Sequence, residues 1–402
     1  MLSGPTALVE AAANDVASVM SMGKAEPLSR FLACLYSVRP TSFQGRLVNL
    51  VEFDMRDYLR QCVSHYLELV ASVEADFALV ADGKPLPRSK QRNKEEACSR
   101  GFAHLPSPSD ITADLAHTRR LSILRDASTP YLDDEDRRAW PEGTYASRGT
   151  LHGKAASVLM KLLYIARLAR PDLLRAIIFL AADICRWSRA HDIALRRVVE
   201  YCNSTVDAMM RGFVGDDLRD CVLVGHADAD FASHKKTSKS TSGAWVFLRG
   251  PSTMIVLSYT CKRQGCVATS TPEAEIVSAE RCVRKDLVPL SLLFAAVLRR
   301  FPAMILGEDN DTCKLALERG ASKEIRHVSR SQRVSLASLT GLMRLLSIAL
   351  LRVDSKDMLA DIFTKLFSEA PRWFHALFLA GLTSETDETF VARILGGPQD
   401  VL

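Results

Sequence analysis

The chain has no Cys-x-x-Cys pair among its ten cysteines. That pattern fits a reducing compartment better than a zinc module or a disulfide framework. No secretory leader is evident, since the first basic residue is Lys24. Long apolar runs are missing as well. Leu173–Cys185 and Leu287–Leu298 are too short for a typical membrane span, and the first contains Arg175. The expectation is an intracellular protein, cytoplasmic or nuclear, with no membrane partner. Acids are absent from Phe231 to Pro272, while Lys235, Lys236, Lys239, Arg249, Lys262 and Arg263 are all basic there. A net charge of +5 permits a polyanionic partner without demanding one.

The composition that is present is 48% apolar and 25% charged, as in globular proteins, and 402 residues suffice for two or three domains. One stretch organises the rest, Val222-Leu-Val-Gly-His-Ala-Asp-Ala-Asp-Phe231. Val222–Val224 reads as a strand, and Asp228 and Asp230 at its end share a face if the strand persists. Acids at the end of a buried strand are costly unless compensated, and a cation is the usual compensation. A polar strand end turning into a loop is the bland alternative. Thr237–Gly243 reads as a turn-rich link, and Ala244–Leu248 and Met254–Tyr259 as further strands of an antiparallel meander.

Further acids follow. In Ser270-Thr-Pro-Glu-Ala-Glu-Ile276, Ser270 or Thr271 caps a helix with Pro272 in its first turn. With Ser270 as cap, Glu273 sits at the capping-box position, which leaves Glu275 on a different face. A short apolar strand, Ala303–Leu306, ends in Glu308-Asp309-Asn310. Met358, Leu359, Ile362, Phe363 and Leu366 predict the buried stripe of a helix with Asp361 at its margin.

Asp228-Ala-Asp-Phe-Ala232, Lys239-Ser-Thr-Ser-Gly243, Ser270-Thr-Pro-Glu-Ala-Glu275 and Leu359-Ala-Asp-Ile-Phe-Thr-Lys365 resemble the ribonuclease H domain of copia-type retrotransposon Pol polyproteins. The resemblance implies an α/β (α+β mixed) fold, a ribonuclease H-like mixed sheet flanked by helices. It implies Asp228, Glu275, Asp309 and Asp361 as catalytic metal ligands, with Asp230 in reserve. The cofactor is then two Mg²⁺ ions, or Mn²⁺ in their place. Two ions about 3.5–4 Å apart can serve both the attacking and the leaving oxygen of a phosphodiester. The partner is an RNA/DNA hybrid, and further retroelement Pol domains are expected beside it. Lys235, Lys236, Lys239, Lys262 and Arg263 would bind its backbone without reading sequence. Ile325–Ser335 resembles a basic segment of the family, in which Arg326, Arg330 and Arg333 could touch phosphates. His327 there is an auxiliary candidate for proton transfer; a surface histidine explains it too, and the family's second His is absent.

The remaining chain divides as an unassigned segment 1–45, with a helix over Ala7–Met22, then a strand and helix at 46–69. The latter resembles the region after the polymerase palm, with Asp54 as N-cap. A linker at 70–150 holds the basic run Gly83–Glu96, expected to be poorly ordered, which could touch phosphates or be a solvated loop. A mainly helical connection region at 151–218 precedes the ribonuclease H-like domain at 219–368. A C-terminal helix and loose tail at 369–402 follow. Arg167, Arg170, Arg175, Arg196 and Arg197 of the connection region could face nucleic acid or form solvated helix faces. Tyr131-Leu-Asp-Asp134 matches a reverse-transcriptase signature but lacks apolar flanking strands, and Pro130 interrupts one. Gly215-Asp-Asp217 is a second decoy. The reading is a Pol-derived ribonuclease H without its own polymerase activity. The alternative is an inactive remnant that folds and binds nucleic acid.

Overall fold

Alternating small and apolar residues carry the strand that starts at Val222 as far as His234, well past both aspartates. The computed structural model describes residues 30–31, 33–43, 46–81, 124–132, 147–234, 237–322, 328–367 and 369–384. Its strands are β1 (Arg30–Phe31), β2 (Cys34–Phe43), β3 (Arg46–Asp54), β4 (Met209–Val214), β5 (Val222–His234), β6 (Lys239–Gly250), β7 (Thr253–Arg263), β8 (Ala303–Glu308), β9 (Ile348–Arg352) and β10 (Leu382–Thr383). They form one sheet in the order β1-β2-β3-β4-β7-β6-β5-β8-β9, with β10 on β4. β5, β6 and β7 make the expected antiparallel meander, while β8 runs parallel to β5 and β9 parallel to β8. The fold is therefore mixed α/β, with a mixed sheet flanked by helices.

The helices are α1 (Arg56–Ala81), α2 (Ala155–Ala166), α3 (Pro171–Ala181), α4 (Arg189–Ser204), α5 (Thr271–Arg281), α6 (Val288–Leu298), α7 (Asp311–Arg319), α8 (Val328–Ser331), α9 (Leu336–Leu345), α10 (Asp361–Thr364) and α11 (Ala370–Leu379). A π-helical turn, Cys282–Leu287, joins α5 to α6. None of the described helices is long and apolar enough to cross a membrane.

Two compact units share the chain. The first takes the described parts of 1–54, 210–364 and 379–402 and holds the sheet. Its core lies where Leu223, Ala227 and Val246 of the meander meet Ile276, Val283 and Leu287 and the β8 residues Met304 and Leu306. The second takes the described parts of 55–209 and 365–378. There Arg170 and Asp172 form a buried ion pair at 2.7 Å, and the Tyr201 hydroxyl donates to Asp172 at 2.8 Å. Arg170 is 2% exposed and Arg175 4%, so these two neither face nucleic acid nor belong to a solvated helix face, the two alternatives the sequence left open. Arg196 pairs with Glu200, and Arg197 donates to the Thr129 carbonyl.

Several local expectations change. Lys239–Gly243 belongs to β6 rather than to a link, because its Ser and Thr residues pair with β5 and β7. Asp54 ends β3 and the helix begins at Arg56. β1 and β2 both fall within 1–45, for which the sequence predicts no strand. The helix expected through Met358–Leu366 is a 3₁₀ turn at Ser355–Asp357 followed by the short α10, and Leu366 is exposed. Met358, Leu359, Ile362 and Phe363 are buried nonetheless. Both decoys have local explanations. Tyr131 lies in a bend and Leu132 follows it outside any strand. The Asp216 carboxylate accepts from Ser252 N, and Asp217 accepts from Arg219 N. Ala7–Met22, Gly83–Glu96, Asp133, Asp134 and the tail beyond residue 384 lie outside the described residues.

Candidate metal centre

Asp228 stands on β5 opposite Gly243 of β6 and is 4% exposed. Asp309 follows directly on β8, whose parallel pairing with β5 brings the two strand ends together. Asp361 is the first residue of α10 and is also buried. One carboxylate oxygen from each of Asp228, Asp309 and Asp361 lies within 4.8 Å of the other two. The Thr364 hydroxyl, one turn along α10, donates to Asp228 Oδ2. Gly243 makes this approach possible. A Cβ there would stand 2.9 Å from the Ala360 carbonyl and 3.0 Å from Phe363 Cβ.

α5 delivers Glu275. Ser270 is its N-cap, accepting from Glu273 N at 3.4 Å, and Pro272 lies in the first turn. Glu273 is wholly buried and structural. Its Oε2 accepts from Thr269 N at 2.8 Å and Oγ at 2.6 Å, and Oε1 accepts from Gln332 at 3.0 Å. It reaches Thr269 N rather than closing a box on Ser270. Further along α5, the Ser278 hydroxyl donates to the Asp228 and Gly243 carbonyls at 2.8 and 3.0 Å. This pins the helix to β5 and β6.

Glu275 lies beside the aspartate trio. Burial pushes its carboxyl up to about 11, and Asp228, Glu308 and Asp309 add to the effect; a bond from Ala229 N–H opposes it. Its Oε2 is buried without a hydrogen-bond partner. Sequence reasoning missed Glu308, which ends β8 at 0% exposure. Burial pushes it up to about 8, with Asp309 and Asp228 contributing. Its Oε1 accepts from Asn310 N at 3.1 Å, and its Oε2 is buried without a partner. The signal was an acid next to an apolar strand, which a solvated strand end imitates.

Asp230, the reserve ligand, accepts from Thr241 N at 2.6 Å and is not among the clustered three. The cations Lys262 and Arg263 of β7 lie opposite Ser242 and Thr241 of β6, next to the register row that holds Asp228, Gly243 and Cys261. Lys239 opens β6 opposite His234. Lys235, Lys236, Arg326 and His327 lie outside the described residues, as does the side chain of Arg330.

The fold and site define a mixed α/β protein with a buried carboxylate cluster whose ligand atoms are hard oxygens. No family model matches the chain, and no solved structure matches it. A retrovirus-related Pol polyprotein from transposon TNT 1-94 of Nicotiana tabacum is 30% identical over 128 residues, 31% of this chain and 9% of the polyprotein. The secreted RxLR effector protein 161 of Plasmopara viticola is 31% identical over 132 residues, 32% of this chain and 86% of that protein. The chain belongs to the family of the Plasmopara protein through this shared third, and its likeness to the tobacco polyprotein supports an origin in retrotransposon Pol.

Proposed function

We propose that the chain is a ribonuclease H of copia-type Pol descent, which hydrolyses the RNA strand of RNA/DNA hybrids in the cytoplasm or nucleus. The observation that carries the reading is the meeting of Asp228, Asp309 and Asp361 oxygens within 4.8 Å, with Glu275 beside them. Carboxylate oxygens are the donors Mg²⁺ prefers, and Mn²⁺ accepts them too. The buried, unpartnered Oε2 atoms of Glu275 and Glu308 fit a cation in this space. Asp228, Glu275, Asp309 and Asp361 would hold it. When bound, two such ions supply the charge that activates a water and stabilises the leaving oxygen.

The protein's own part is orientation. Thr364 fixes one oxygen of Asp228, and Ala229 N–H fixes one side of Glu275. Lys239 sits on β6, which pairs with the strand of Asp228, and Lys262 and Arg263 sit on β7 beyond it, where they would meet phosphates of any sequence. The hybrid, and other retroelement Pol domains, are the proposed partners.

A second reading is an inactive remnant that folds and binds nucleic acid. It draws on the Plasmopara protein, which is named as a secreted effector and shares nearly its whole length with this chain. A labelled RNA/DNA hybrid separates the two. Cutting of the RNA strand with Mg²⁺, lost in EDTA and in Asp309→Asn, is the expected result. A folded wild type that binds the hybrid without cutting it would favour the remnant.

A further inference from the structure

Glu308 takes no part in the motifs that carry the resemblance, yet it is buried completely beside Asp309. Hydrogen bonds engage one side of its carboxylate. Oε1 accepts the Asn310 N–H at 3.1 Å, and the Cys313 thiol donates to the group. Asn310 in turn caps α7 by accepting from Cys313 N at 3.0 Å. The other oxygen is buried with no hydrogen-bond partner, and no cation among the described residues pairs with the carboxylate. Asp228 and Asp309 are close enough to act on it electrostatically.

Holding the turn into α7 requires only an acceptor. A glutamine carbonyl would serve, without burying a charge among other acids. Burying an unpaired carboxylate is costly in a protein interior. The feature makes sense if a positive charge is present in the working state. We infer that Glu308 is a fifth carboxylate of the cation site, adding negative charge from behind Asp309. It is a positioning residue. It acts on the ions through its charge and on Asp309 through the turn that carries it, and it does not touch substrate. The inference rests on the proposed cation site.

The test follows thermal unfolding of the full chain in mildly alkaline buffer, first in EDTA and then with rising Mg²⁺. Wild type, Glu308→Gln and Glu308→Asp are compared. The Gln variant keeps the acceptor and removes the charge. It should melt above wild type in EDTA, and its Mg²⁺ midpoint should rise about tenfold. The Asp variant keeps the charge and should keep a midpoint near the wild-type value. A Gln variant that titrates like wild type overturns the inference. So does an equal shift in both variants, which would report geometry rather than charge. Failure of the Gln variant to fold counts against it too, since removal of the charge is expected to stabilise. A wild type indifferent to Mg²⁺ overturns the cation site itself, and the role of Glu308 falls with it.

Discussion

Thr364 donates its hydroxyl to Asp228 from the same short helix that begins with Asp361, so one turn of chain ties two clustered acids together. Thr364→Val keeps the shape and removes the donor. A hydrogen bond to a charged group contributes about 1.5–3 kcal/mol, so initial rates on a labelled hybrid should fall by at least about tenfold. Thr364→Ser should recover most of that loss. The four acids singled out from the sequence fall in one neighbourhood because each sits in a short motif with its own local logic. Glu308 was not legible, because burial is set by what packs above a strand end and not by the strand end itself. Arg170 and Arg175 misled for the same reason. Arginines in a helical run look solvated until a partner such as Asp172 is seen inside with them.

Between elements, the narrowest fit is α10 against β6 at Gly243. Gly243→Ala should push the Ala360–Thr364 segment outward and move Asp361 with it. Overpacking of this kind costs about 1–3 kcal/mol, readable by urea unfolding, and cleavage should fall further than stability alone explains. Ser270→Ala is the contrasting case. Loss of the cap on α5 should cost about 1 kcal/mol, while cleavage persists at temperatures where the variant is folded. Strands with regular apolar content, such as β5, β7 and β8, could be read from sequence. The start of β6 could not, because Ser, Thr and Gly favour turns in isolation and are overruled here by pairing on both sides. β2 holds Pro40, which argues against a central strand. Among the described residues β1 pairs with β2 only at Cys34 and Leu35, and Pro40 has its one strand partner, Asn49, on the β3 side.

For the whole molecule, the buried acids set a pH dependence. In metal-free protein, burial raises Glu275 from 4.5 to about 11 and Glu308 from 4.5 to about 8. Groups raised in the folded state contribute stability below their unfolded value and lose it as pH rises through the folded value. Unfolding free energy without metal should therefore decline from mildly acidic to alkaline pH, and Mg²⁺ should flatten the decline. His226 works in the opposite sense. Burial lowers it from 6.5 to about 4, and its Nδ1 accepts from Leu359 N. Its contribution is complete above 6.5 and lost as pH falls through 4. Chemical denaturation across this range, with and without Mg²⁺, checks both slopes. In the helical unit, Asp172→Ala should cost about 3–5 kcal/mol by leaving Arg170 buried and unpaired.

The chain leaves the sheet after β3 and returns to it at β4, which pairs directly with β3. On the ribosome, β3 would emerge with no neighbour on its β4 side while the intervening helices are still being made. At typical elongation rates that interval is on the order of 10 s. The hairpin of β2 and β3 would thus wait as an open edge, exposed to other nascent chains, until Met209–Val214 arrives to close it.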